Sequence, residues 1–259
     1  DSVLPTLYTF FSFVYLLTAV WWIWFYMRPG EGKQIYRIHY LMTILLLLKM
    51  AAVFFHAVEM HYLKLNGHPG AWSIVYFIFA LMKGVMFFVV VGLIGSGWGF
   101  IKPFLSDKDK NVLLFVIPLQ VVDNIALAII EETAPGSYIW LTWVDIFRIV
   151  DIVCCVAVLA PIVWSVNHLK QASQVDGKAT RNFTKLKLFQ TFYLTVISFI
   201  YMTRIIVYLL DSSLNFRWTW MAVFISEVST LVFILCTGNM FKPVADNPFL
   251  KMDTERDVE

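Results

Sequence analysis

Residues 40–60 read YLMTILLLLKMAAVFFHAVEM. A run of about 20 mostly apolar residues is what an α-helix needs to cross the hydrocarbon core of a bilayer, and this one holds Lys49, His56 and Glu59 within it. Such a segment reads as a membrane span with something polar to face. Six further runs of similar length surround it, placing spans at about residues 3–27, 36–62, 72–97, 111–131, 138–167, 188–210 and 218–241. The expected fold is all-α: a polytopic seven-transmembrane helix bundle over residues 1–241, followed by a polar tail, 242–259, expected to be disordered.

The composition fits. Of the 259 residues 59% are hydrophobic and 17% aromatic, with a mean hydropathy of +0.72, well above a soluble domain. The net charge of +2 conceals an asymmetry. Arg28, Lys33 and Arg37 flank the first gap, Lys102, Lys108 and Lys110 the third, Lys170, Lys178, Arg181, Lys185 and Lys187 the fifth, and Lys242, Lys251 and Arg256 the tail. The opposite side has Lys64 and Arg217. By the positive-inside rule the N-terminus is lumenal or extracellular and the C-terminus cytosolic. The first run has its positive charge after it and none before, so it reads as a spanning helix rather than a cleaved signal. An upstream lumenal segment carrying its own signal is expected.

The basic side suits the anionic headgroups of a cytosolic leaflet, with Lys170, Lys178, Arg181, Lys185 and Lys187 as its interaction face; nucleic acid is not an expected partner. Cys154, Cys155 and Cys236 fall inside spans and read as small packing residues. Pro118 and Pro161 are expected to kink their spans, and the glycines from Gly84 to Gly99 to allow close approach to the third. The sequon at Asn182 is expected on the cytosolic side, where it is not used.

Lys49, Glu59, Lys83, Asp123, Asp145, Arg148, Asp151, Arg204 and Glu227 all lie within spans. An ionised side chain near the bilayer centre costs roughly 3 kcal/mol on insertion scales, so the set left unpaired would cost on the order of 25 kcal/mol. These groups must face one another or water. Distances to the loops put Lys49, Lys83, Asp123 and Asp151 near mid-membrane and Glu59, Asp145, Arg148, Arg204 and Glu227 in the lumenal half. Lys49, His56 and Glu59 share one helical stripe, and Arg148 stands three residues from both Asp145 and Asp151. The pattern predicts a polar, lumen-facing cavity, with the alternative that the charges only hold the bundle together. Those nine residues and His56 are the ligand-cavity candidates.

Other chemistry is disfavoured. HAVEMH, 56–61, inverts the order of a Glu-x-x-His metal motif and has no second copy, so no metal is expected. No nucleophile elbow appears, no catalytic residue or cofactor is assigned, and the protein reads as a non-enzyme. The last span carries Glu227 and lacks the lysine a retinal Schiff base would need. A rhodopsin-like mechanism is unsupported, since the third span ends in GSGWGFIKPF and Asn247-Pro248 lies beyond the seventh.

Several blocks carry a resemblance: RIHYLM at 37–42, LIGSGWGFIKPFLSDKDK at 93–110, VIPLQV at 116–121, VDIVCC at 150–155, DGKATRNFTKLKLF at 176–189, TRIIVYLL at 203–210 and FKPVADNPFL at 241–250. Together these resemble the lung seven-transmembrane receptor family, part of a wider group of Golgi-associated seven-span proteins with a lumenal β-sandwich domain that includes plant candidate G-protein-coupled receptors. The resemblance implies residence in Golgi and related secretory or endosomal membranes, with the plasma membrane as a further site. It also implies a part in membrane-protein trafficking and a cavity among the helices that admits lipid. Asp123 departs from the pattern, standing where a small apolar residue is expected. Expected partners are membrane lipids and membrane-protein cargo or coat machinery. The alternatives are a receptor acting through a G protein and, more weakly, a transporter or channel.

Overall fold

The computed structural model describes residues 3–28, 35–68, 70–96, 194–206 and 220–243 continuously, short runs and single positions between 111 and 192, and residues 210 and 218. Among the described residues, four helices are long and apolar enough to cross a membrane: Val3–Met27, Arg37–Asn66, Trp72–Ile94 and Trp220–Met240. The described positions inside the expected fourth, fifth and sixth spans are helical too, and no described residue lies in a strand. Lipid offers no hydrogen bonds to the backbone, so a spanning segment satisfies its own, as a helix does. The third and fifth gaps, Pro161, the Asn182 sequon, Cys154 and the tail from residue 244 lie outside the described residues.

Helix α1, Val3–Trp22, continues into a π-helical turn at Ile23–Met27. Helix α2 is Arg37–Asn66, α3 is Trp72–Ser96, and the final helix is Trp220–Met240. A second π-helical turn, Tyr201–Ile206, contains Arg204. The end of the bundle where α1 finishes and α2 begins is here called the base; the end where α2 turns into α3 is the top.

At its base α2 is fixed by an exchange in which Tyr36 N–H donates to His39 Nδ1 at 2.9 Å and His39 N–H to the Tyr36 carbonyl at 3.1 Å. It stops at Gly67, whose φ of 74° lets its N–H return to the Leu63 carbonyl at 3.0 Å. That left-handed cap costs a glycine nothing in Cβ clash. Gly70, with φ 61°, completes the reversal into α3. The helix runs four residues beyond the sequence-based end at 62. Hydropathy marks where the lipid ends, whereas the cap marks where the helix ends.

The core follows two facing stripes. On α1 the buried residues are Phe11, Tyr15, Ala19 and Trp22; on α2 they include Met42, Leu46, Lys49, Val53 and His56. Both recur every three or four positions, the period of one helix face. Large apolar side chains on the other faces, such as Phe10, Phe13 and Leu17 on α1 and Phe54 on α2, are exposed. In water that would be a liability, but lipid is their natural surround. Tyr8 meets the His56 ring at 4.2 Å, the Tyr15 ring lies 5.3 Å from Lys49 Nζ, and Trp22 Nε1–H donates to Thr43 Oγ1 at 2.9 Å. These three contacts set the antiparallel register. Phe87 of α3, Phe199 and Phe233 of the final helix then close an aromatic cluster, with centroids 4.4 to 5.8 Å apart.

Two details depart from the sequence reading. Cys155 is buried but Cys236 is exposed, because it shares the outward face of the final helix with Val232 and Leu235. A close approach occurs at Gly238, outside the glycines singled out in the third span: a Cβ there would run into the Trp22 indole. Gly238→Ala is therefore expected to destabilise the purified chain by about 1–3 kcal/mol through overpacking. Thermal unfolding in detergent reads this as a lowered midpoint, and adding Trp22→Leu should recover much of it. An unchanged midpoint for Gly238→Ala alone would contradict this packing.

Candidate intramembrane polar site

The α1/α2 seam carries two polar rungs. The deeper one joins three helices. Lys49 Nζ lies 2.7 Å from Glu227 Oε2 and 2.9 Å from Oε1, so the ammonium bridges both carboxylate oxygens. The Tyr15 hydroxyl sits 3.0 Å from Oε2 and 3.1 Å from the Glu227 backbone carbonyl. All three residues are buried. In a low-dielectric interior such a pair is tolerated only when its remaining donors and acceptors are also met, and Tyr15 supplies that third contact. Lys83 of α3, half-buried, is near enough for its charge to bear on Glu227.

The upper rung lies one heptad along α2, about 10 Å at 1.5 Å per residue. His56 Nδ1 and Glu59 Oε2 are 2.9 Å apart, and the Ser73 hydroxyl donates to Glu59 Oε1. The His56 ring stacks on Tyr76 of α3 and receives Tyr8 edge to face, both with centroids 4.2 Å apart. With Nδ1–H donated to the carboxylate, Nε2 is left as an acceptor, and it makes no hydrogen bond among the described residues. His56, Glu59 and Ser73 are buried.

Of the sequence-derived candidates, Lys49 and Glu227 come together in one rung and His56 and Glu59 in the other. Asp151 is buried on its own helix and engages a further partner. Asp123, Asp145 and Arg148 lie outside the described residues, as do the Arg204 side chain and the basic face formed by Lys170, Lys178, Arg181, Lys185 and Lys187. Counting from the loops put Glu227 above Lys49, but the structure brings their charged groups to one level. The long lysine stem bridges such differences while its apolar carbons stay packed.

The sequence reading missed Tyr8, Tyr15, Ser73 and Tyr76, because neutral hydroxyls inside an apolar run raise no alarm. A signal was present: Tyr8 and Tyr15 are seven residues apart on one helix, as Lys49 and His56 are on the next. Antiparallel packing turns that shared spacing into two matched contacts.

Below the deeper rung the seam is mostly apolar, with Thr43 and His39 among the apolar side chains. Trp22, Met42, Leu45, Leu46, Phe233 and Ile234 contribute to the lining of a void of about 30 Å³ beneath the deeper rung. Among the described residues, then, the buried carboxylate and ammonium groups of the seam stop at Lys49 and Glu227, and the buried polar side chains nearer the base are His39 and Thr237.

Removing one partner of the deeper rung should leave a buried charge uncompensated. Lys49→Met is expected to cost about 3–5 kcal/mol, while Lys49→Met with Glu227→Leu should return close to the parent value. Tyr15 keeps the Glu227 carbonyl as acceptor in both. Thermal unfolding of the single and double variants measures this, and equal losses in both would mean the pair is not the unit described.

Comparison with known proteins places this arrangement. Residues 3–248 match the family model described as GOST, seven transmembrane domain. The chain is 40% identical over 256 residues to the protein named Candidate G-protein Coupled Receptor 6 of Arabidopsis thaliana. That alignment covers 98% of this chain and 59% of the relative, so the chain spans well under two thirds of the protein it matches.

Proposed function

The chain belongs to the GOST seven-transmembrane family, and on that premise we propose that this receptor-like membrane protein acts without catalysis in membrane-protein trafficking within the Golgi and related secretory or endosomal membranes. Its top faces the lumen, and the two-rung seam forms part of a polar cavity that takes a lipid or another ligand. The basic base faces the cytosol, where it meets lipid headgroups or coat machinery.

One observation carries this reading. Among the described residues, the buried carboxylate and ammonium groups of the seam occupy the middle and upper part of the bundle, and none lies at the base. A network needed only as glue has no reason to be so one-sided. A site entered from the top has, since its charged groups must lie where a ligand or water can meet them. Intramembrane ionisable residues mark such sites by default. His56 adds an oriented imidazole whose Nε2 is available to accept from a ligand hydroxyl.

A receptor reading has one specific support, the printed name of the Arabidopsis relative. The two readings separate in one experiment. In cells depleted of the protein, membrane cargo of the secretory pathway should mislocalise. The wild-type chain should restore it, and the well-folded Lys49→Met/Glu227→Leu variant should not. Full rescue by that variant would reduce the deeper rung to a structural element. Ligand-dependent GTP turnover by an added heterotrimeric G protein, with cargo unaffected, would replace trafficking with signalling.

A further inference from the structure

We infer that the base of the bundle is a latch, a closed ring of contacts that holds the final helix against α1 and α2 and can release it. The inference rests on this geometry alone and does not depend on the function proposed above.

The ring can be followed atom by atom. Trp22 Nε1–H donates to Thr43 Oγ1 at 2.9 Å, and Thr43 donates to the His39 carbonyl at 2.8 Å. The His39 imidazole accepts Tyr36 N–H at Nδ1, which places its proton on Nε2, and Nε2–H donates to the Phe241 carbonyl at 2.7 Å. Phe241 N–H returns to the Thr237 carbonyl at 3.0 Å. Gly238, next in sequence, is the notch that receives the Trp22 indole. Three helix ends are thereby joined through side chains that are largely buried; His39 is 0% exposed.

Beside the ring, on its α3 side, the packing is incomplete. The partly open gap of about 30 Å³ is bordered by Trp22 and Thr237 of the ring and by Val90, Val91 and Ile94 of α3. The Thr237 hydroxyl, in a residue 4% exposed, has no hydrogen-bond partner among the described residues. A buried hydroxyl without a partner and a gap beside a large ring both disfavour the closed state relative to one in which they are relieved. The first residue after Trp22 begins the π-helical turn, a wide turn that can tighten to α geometry and rotate what precedes or follows it. A specific set of bonds therefore opposes a local packing defect within one turn of helix, as a two-state element requires.

In the closed state His39 holds the Phe241 carbonyl. In the open state that bond is broken, the base of the final helix moves away from α2, and Trp22 leaves the Gly238 notch. The deeper rung, one turn and more above, remains as the pivot through the Lys49–Glu227 bridge.

The test uses the full chain in lipid nanodiscs, with Cys154, Cys155 and Cys236 replaced by Ala and paired spin labels read by electron–electron double resonance. One pair, at Tyr40 and Lys242, spans the base; a second, at Leu65 and Trp218, spans the top. All four positions are exposed. His39→Phe keeps a ring but loses both hydrogen bonds, and should raise a longer-distance population at the base by about threefold or more while the top stays unchanged. Adding Thr237→Val, which removes the unpartnered hydroxyl, should reverse part of that rise. Should His39→Phe not fold, Gly238→Ala wedges the same contact and carries the same expectation. A base distance unchanged in a folded variant would overturn the latch, and so would equal broadening at both ends, which signals general loosening.

Discussion

The bridge between Lys49 and Glu227 is the constraint on which the rest of this bundle depends. Two opposite charges in a medium that solvates neither must find each other, and the residues sit on helices far apart in the chain. Their pairing fixes how α2 and the final helix face one another. Tyr15 then has to present its hydroxyl to the same carboxylate, which fixes the rotation of α1. Three helix orientations follow from one electrostatic requirement. Apolar packing alone would be less selective, since lipid tails satisfy a leucine as well as a neighbouring helix does.

The upper rung repeats this logic with different chemistry. Glu59 is held by His56 on its own helix and by Ser73 across the turn into α3, so it locks the α2–α3 hairpin rather than a distant partner. Because the hairpin is short, Gly67 and Gly70 must supply the two left-handed positions that let α3 return at a distance where Ser73 reaches Glu59. The imidazole is the least constrained member, oriented on one side by the carboxylate and on its faces by Tyr8 and Tyr76. That combination of a firm grip and a spare ring nitrogen is what a recognition group needs.

Below the charges the design changes from electrostatic to steric. The base is closed by a large ring seated on a glycine, by hydrogen bonds that run along helix ends, and by aromatic contacts such as Phe241 against Phe192 at 5.3 Å. Each is specific in geometry but modest in strength, and a small gap remains beside them. The bundle is thus held by charge at mid-depth and by weaker, steric contacts at its base.

The sequence by itself determined the class of the protein: run length and apolar content dictate membrane helices, since only a helix or closed barrel satisfies its backbone in lipid. It also determined that the buried charges must be paired, and the spacing of Lys49, His56 and Glu59 placed them on one stripe, as found. The choice of partners was beyond it. Nothing local distinguishes Glu227 from the other anions as the mate of Lys49, and depth counted from loops ignores both helix tilt and the reach of a lysine. The neutral contributors, Tyr8, Tyr15, Ser73 and Tyr76, and the notch at Gly238 became visible only in three dimensions. Their roles depend on what another helix brings within hydrogen-bond or van der Waals distance, and that is decided by tertiary packing.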